Sequence, residues 1–304
     1  MIWIVLTMIV ATTIGATFAH RRPRPAEISA KRIMDLILWV LIPPVLFFNL
    51  VHFEFTARIG TALGLAIVGN ALLAVIVYLT ATKWLKLTRP QSGAMIVCAL
   101  MGNTAYLGYP FVSAALGFDQ LGTAVSYDIL VSVPFLLFVG FTVGAAFGTV
   151  ADNPRDRIKS YFTRNPLIWA AALALVAPAS WSPDIAVDAS RVLVFLILPL
   201  GFIAVGIVMT RESEEDKLGF PPRLTKPVAV TVALRLTVVA GFLLLMNEAV
   251  APIPDAYIIE GAMATGVNNL LLANNYGLDR KLAAGAIVWS TMIVAVAGLV
   301  VEFV

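Results

Sequence analysis

Apolar runs of about twenty residues recur from one end of this 304-residue chain to the other. A helix needs roughly 20 apolar residues to cross the hydrocarbon core of a bilayer. Ten stretches meet that need: 1–19, 33–51, 58–82, 93–116, 124–148, 165–180, 187–209, 227–247, 257–276 and 282–303. The sixth is short and carries Pro178, so its start is expected to reach back towards Ser160. With 60% hydrophobic and 13% charged residues, the chain is no ordinary soluble domain, in which about a quarter of residues are charged. The reading is an all-α integral membrane protein held in the lipid bilayer.

The basic residues set the orientation. Of the 21 Lys and Arg residues, all but Arg58, Arg191 and Arg235 lie in the loops after spans one, three, five, seven and nine. Cytoplasmic loops carry the excess of Lys and Arg, so both termini are expected on the non-cytoplasmic side of a bacterial inner (cell) membrane. The sequence pI near 9.1 therefore reflects topology, and no nucleic-acid partner is implied. No basic residue precedes the first apolar run, and Ala19-His20-Arg21-Arg22 is a poor cleavage site, so that run is read as a retained span. Cys98, the single cysteine, lies within an apolar run and is read as a small packing residue.

An odd number of spans per repeat inverts the second copy. Residues 1–150 and 160–304 are expected to form two inverted five-helix repeats. Leu41-Ile-Pro-Pro-Val-Leu-Phe47 of span two parallels Leu196-Ile-Leu-Pro-Leu-Gly-Phe202 of span seven. Leu116-Gly-Phe-Asp119 after span four parallels Tyr276-Gly-Leu-Asp279 after span nine. Inverted repeats are characteristic of secondary transporters, whose sites lie at discontinuous helices near the midplane.

Spans four and nine carry such breaks. In Met101-Gly-Asn-Thr-Ala-Tyr-Leu-Gly-Tyr-Pro110, Gly102, Gly108 and Pro110 oppose regular helix, while Asn103 and Tyr106 bring polar atoms to mid-bilayer depth. In span nine, Thr265, Gly266, Asn268 and Asn269 lie about eight to twelve residues in, or ~12–18 Å at 1.5 Å per residue. Lipid cannot satisfy freed backbone groups, so both breaks must be buried in protein or line a watery cavity. If the two helices cross there, the N-terminal ends of the following half-helices present positive dipole ends to one volume, which suits an anion.

These residues resemble the auxin efflux carrier family, within the larger group that includes bile acid–sodium symporters. The pattern Gly-Asn-x-x-x-x-Gly-x-Pro matches at Gly102, Asn103, Gly108 and Pro110; Ala273 and Tyr276 to Asp279 match in span nine; Asn165-Pro166 opens span six. The resemblance covers the whole chain. It implies a scaffold of spans one, two, six and seven beside a transport core of spans three to five and eight to ten, with spans four and nine crossing in the core. It also implies organic-anion substrates, auxin in plants and small carboxylates in many bacterial members, and a homodimer through the scaffold. Ala264 stands where the family has a proline after Met263. The break in span nine then rests on Gly261, Gly266 and the Asn pair.

The expected substrate site comprises Gly102, Asn103, Tyr106, Pro110, Thr265, Asn268, Asn269 and Arg235. A charge at a helix centre costs roughly 2.5–3.5 kcal/mol on insertion scales, so each intramembrane charge needs a reason. Arg235 either attracts a substrate carboxylate or locks onto Glu260 or Asp128. Glu260, Asp128 and Met263 are the ion-coupling candidates. The sodium symporters hold sodium with a glutamate at the place of Glu260, yet their Ser-Asn pair is replaced here by Tyr106-Leu107. Proton coupling or facilitated transport thus stands beside sodium coupling. Asp128 is either an ion or proton site or a surface residue. Asn49 and Asn70 read as helix glue, and Gly60-x-x-x-Gly64 and Gly140-x-x-x-Gly144-x-x-x-Gly148 as close helix packing.

The leading expectation is a secondary carrier of a small organic anion working by alternating access. A channel-like or sensory membrane protein is the alternative. Catalysis is not expected, since the membrane-depth residues include no paired-His motif and no Ser–His or Cys–His arrangement. No organic cofactor is expected.

Overall fold

Prolines adjoin most of the π-helical turns of this protein; the turn Thr80–Trp84 and the break in span nine have none. The computed structural model describes residues 2–149, 166–215 and 221–303. Arg155, Arg157, Lys159, Ser160, Arg164, Asn165 and Lys217 lie outside the described residues, as does the boundary between the two expected repeats. Among the described residues every element is helical, and the one strand-like contact is an isolated antiparallel bridge between Gly102 and Thr265.

Among the described residues, six helical stretches are long and apolar enough to cross a membrane. These are α1 (Ile2–Arg21), the Pro23–Val51 stretch containing α2 (Pro23–Leu36) and α3 (Ile42–Val51), and the Ala57–Trp84 stretch containing α4 (Ala57–Leu79). The others lie in α10 (Asp184–Glu215), α11 (Lys226–Ala249) and α14 (Arg280–Phe303). They coincide with expected spans one, two, three, seven, eight and ten.

The other four apolar stretches are segmented. Span four is α5 (Arg89–Leu100), a π-helical turn (Thr104–Gly108) and α6 (Tyr109–Leu116). Span five is α7 (Leu121–Tyr127), two π turns (Asp128–Ser132 and Phe135–Gly140) and α8 (Phe141–Phe147). In span six, α9 covers Pro166–Val176. Span nine is α12 (Asp255–Gly261) and α13 (Asn268–Tyr276). The breaks in four and nine were expected; the widening within span five was not.

A proline ring crowds the carbonyl four residues back and offers no N–H, and widening the helix by one residue relieves both problems. Pro43 and Pro44 follow the π turn Ile37–Leu41, Pro110 follows Thr104–Gly108, and Pro134 lies between the two π turns of span five. Pro199, the sequence counterpart of Pro44, instead sits inside the continuous α10.

Two groups of helices emerge from the packing. α10 lies along α1 and also meets α2 and α3, while α9 packs on α3. α11 packs on α4, α5, α12 and α14. Many large apolar side chains face outward, among them Leu6, Val75, Leu245 and Val296. An exposed apolar surface on this scale is tolerated in lipid and not in water. The glycine expectations divide: Gly144 and Gly148 press on Tyr276, whereas Gly60 and Gly64 face open space and make no close helix contact.

Candidate functional site at the helix crossing

Each broken helix supplies the backbone partners that the other has lost. The N–H of Asn103 donates to the Ala264 carbonyl at 2.7 Å, and the N–H of Gly266 donates to the Met101 carbonyl at 2.8 Å. These two bonds bracket the Gly102–Thr265 bridge. Side chains complete the join. Thr265 Oγ1 donates to the Cys98 carbonyl at 3.0 Å, Asn269 Nδ2 donates to the Met101 carbonyl at 3.0 Å, and the Thr265 N–H donates to Ser290 Oγ at 2.9 Å. Extended backbone thus survives in the interior because its polar groups are paired within protein.

Arg235 covers the opposite polarity. Its guanidinium donates from Nε to the Met263 carbonyl at 2.9 Å, from Nη2 to the Glu260 carbonyl at 3.2 Å and from Nη1 to the Ala99 carbonyl at 3.5 Å. Those carbonyls belong to the C-terminal ends of α5 and α12 and the break after α12, where partial negative charge collects. The guanidinium occupies the space where a Cβ on residue 102 would stand, so only glycine at 102 admits it. Arg235 is 2% exposed and lies outside the cavity wall described next.

The N-terminal ends of the following segments border a cavity of about 230 Å³. Its wall includes Gly102, Asn103, Thr104 and Tyr106 from span four, Gly266, Asn268 and Asn269 from span nine, and Asp128 and Ser132 from span five. Leu38, Ile42, Leu136 and Leu167 supply apolar wall. In the segment beginning at Thr104, the first intrahelical bonds run from Leu107 and Gly108 to the Asn103 carbonyl, which leaves the earlier amides at a helix start beside the cavity. Asn103 is 6% exposed, and its Nδ2 has no hydrogen-bond partner among the described residues. Tyr106 and Asn268 share this wall.

Two carboxyl groups flank the π turn Thr104–Gly108. Asp128 accepts from the Thr104 hydroxyl, and its other oxygen accepts from Tyr109 at 2.8 Å. It is 5% exposed on the cavity wall, well away from an outer surface. Glu260 is fully buried against Gly108, and neither of its carboxylate oxygens accepts a hydrogen bond among the described residues. A Cβ at residue 108 would overlap that carboxylate.

Of the expected site residues, the cavity gathers Gly102, Asn103, Tyr106, Asn268, Asn269 and Asp128. Pro110, Thr265, Arg235, Glu260 and Met263 lie behind its wall, and the Met263 carbonyl is occupied by Arg235. Thr104, Tyr109 and Ser132 were not singled out from sequence. Their signal is spacing: Thr104 adjoins Asn103, and Ser132 lies one helical turn from Asp128.

The chain is similar to an uncharacterized transporter of Methanocaldococcus jannaschii, with 21% identity over 275 residues, covering 87% of this chain and 86% of that protein. This is a multi-pass membrane protein of the transporter kind. No family model matches the chain. The relative carries no assigned substrate in its description, so the cavity chemistry is the guide to what is carried.

Proposed function

We propose that this protein is a secondary carrier of a small organic anion, a carboxylate of auxin-like or dicarboxylate type, bound where spans four and nine cross. The observation that carries the reading is the buried Nδ2 of Asn103, without a partner among the described residues, on a cavity bordered by two helix N-termini. An unmade hydrogen bond in a buried donor costs about 1–3 kcal/mol, and a ligand acceptor removes that cost. Asn268, Asn269 and Tyr106 add donors, and the positive ends of the segments starting at Thr104 and Asn268 favour negative charge. Arg235 acts from behind, holding the carbonyl ends away from the ligand.

In this reading the ten apolar stretches form two inverted repeats, residues 1–150 and 160–304, with both termini outside the cytoplasm of a bacterial cell. The α1, α2–α3, α9 and α10 group serves as scaffold, through which two copies pair, and the remaining helices move as the transport core. A coupling cation, sodium or a proton, would be held by one of the two carboxyl groups beside the crossing, Asp128 or Glu260. The channel-like or sensory alternative predicts flux without saturation or counterflow.

Thermal stabilisation of the purified protein by a panel of carboxylates is the direct test. A carboxylate that raises the melting temperature of wild type but of neither Asn103→Ala nor Asn268→Ala supports the site. Equal stabilisation of wild type and both variants excludes it.

A further inference from the structure

The cavity contains a conflict that an anion must resolve. Among the described residues its wall carries two ionisable side chains, Asp128 and Tyr106, and no Lys, Arg or His. The buried guanidinium of Arg235 is committed to three backbone carbonyls behind the wall. A carboxylate ligand in a space of about 230 Å³ would therefore lie close beside a second carboxylate, with no basic side chain from the described wall between them. Two like charges so confined do not both remain ionised; one holds a proton.

We propose that Asp128 holds a proton whenever a carboxylate occupies the cavity, so that anion and proton cross together. The inference rests on the anion reading above. Its geometry is specific. Thr104 and Tyr109 each donate to a different oxygen of Asp128, so both oxygens are held at the cavity wall. When the ligand enters, a proton on Asp128 turns the group into a donor, facing an acceptor-only carboxylate. The proton is taken from the same aqueous side as the anion and released with it on the other, so charge and atoms balance for a monocarboxylate without a further ion. Thr104 opens the segment that also positions Asn103 and Tyr106, which ties the proton to the helix that binds the ligand.

The groups facing Asp128 are few. Tyr109 of α6 bonds it, Tyr106 shares its wall, Tyr127 precedes it on α7, and α12 brings Tyr257 and Glu260. On α4, which packs alongside, Asn70 is uncharged, and Arg58 and Tyr78 are exposed near the ends. Phe135–Gly140 contributes no titratable side chain. Glu260 is the one other carboxyl group among these neighbours, so it is the necessary control.

The test uses the full chain in proteoliposomes containing a lumenal pH dye, with indole-3-acetate and malate as probes. Binding is followed by thermal stabilisation between about pH 6.5 and 8.5, where both probes are fully ionised. For wild type, apparent affinity should weaken by up to about tenfold per pH unit above the titration, and an inward probe gradient should acidify the lumen. Asp128→Asn, which mimics the protonated group, should bind with no pH slope and move no protons. Glu260→Gln should keep the slope. Tyr109→Phe and Thr104→Val each remove a donor to the carboxylate, and the profile should move to higher pH; this arm decides the matter if Asp128→Asn does not fold. A slope that survives in Asp128→Asn, vanishes in Glu260→Gln or stays fixed in both donor variants overturns the proposal, as does pH-independent binding by wild type. Absence of stabilisation by either probe at every pH overturns the anion reading itself, and this inference with it.

Discussion

The guanidinium of Arg235 and the missing side chain of Gly102 occupy the same space. A glycine in one broken helix thereby lets an arginine from a neighbouring span reach carbonyl groups in both broken helices. Gly102→Ala forces the guanidinium off those carbonyls or the backbone bridge apart. The expected loss is about 1–3 kcal/mol of stability, measured as a lower melting temperature in detergent. Gly241→Ala, in a helix with open space at its Cβ position, should be neutral or stabilising by up to about 1 kcal/mol.

Arg235→Met should be costlier, because the Ala99 and Met263 carbonyls lose the guanidinium and the Glu260 carbonyl keeps only backbone donors such as the Met263 N–H. A loss of about 3–5 kcal/mol is expected. Arg235→Lys should recover only part, since an ammonium lacks the planar fork that reaches several acceptors. Melting curves of the ligand-free protein report this directly. Unchanged stability with weakened ligand affinity would instead make Arg235 a ligand-binding group.

Thr265 anchors the crossing by two routes, from its hydroxyl to Cys98 and from its N–H to Ser290. Thr265→Val removes the first and should cost about 1 kcal/mol; Ser290→Ala strands a buried N–H and should cost about 1–3 kcal/mol. Both residues lie behind the cavity, so melting temperature should fall by more than ligand affinity does.

Beyond the membrane span, Glu214 accepts from His20 and from Arg211, and these bonds hold its carboxyl below the usual range. A depressed carboxylate contributes stability above its unfolded value, near 4.3, and loses it as pH falls through the lower folded one. The group is exposed, so the contribution is under about 1 kcal/mol. Glu214→Gln should lower the melting temperature slightly at neutral pH, with the difference vanishing in acid or high salt.

Much of the crossing was legible in the sequence because membrane depth leaves few explanations for Gly, Asn and Pro inside apolar runs. The breaks in spans four and nine fall where Gly102, Asn103, Gly266 and Asn268 mark them, and span nine breaks without the proline that its resemblance predicts. What replaces that proline is the pairing with span four, a long-range contact that no local pattern encodes. The sequence likewise set Arg235 at depth and left open what it touches.

Local chemistry by itself determined that the chain is helical, apolar on its outside and interrupted at particular residues, because periodicity, helix length and backbone freedom are properties of neighbours along the chain. Tertiary structure alone decided which carbonyls Arg235 meets, that Asp128 reaches the cavity while Glu260 is sealed behind it, and that Pro134 widens span five beside them. Those outcomes depend on distances between residues far apart in sequence. Burial then gives each paired or unpaired polar group a free-energy weight that water would have screened away.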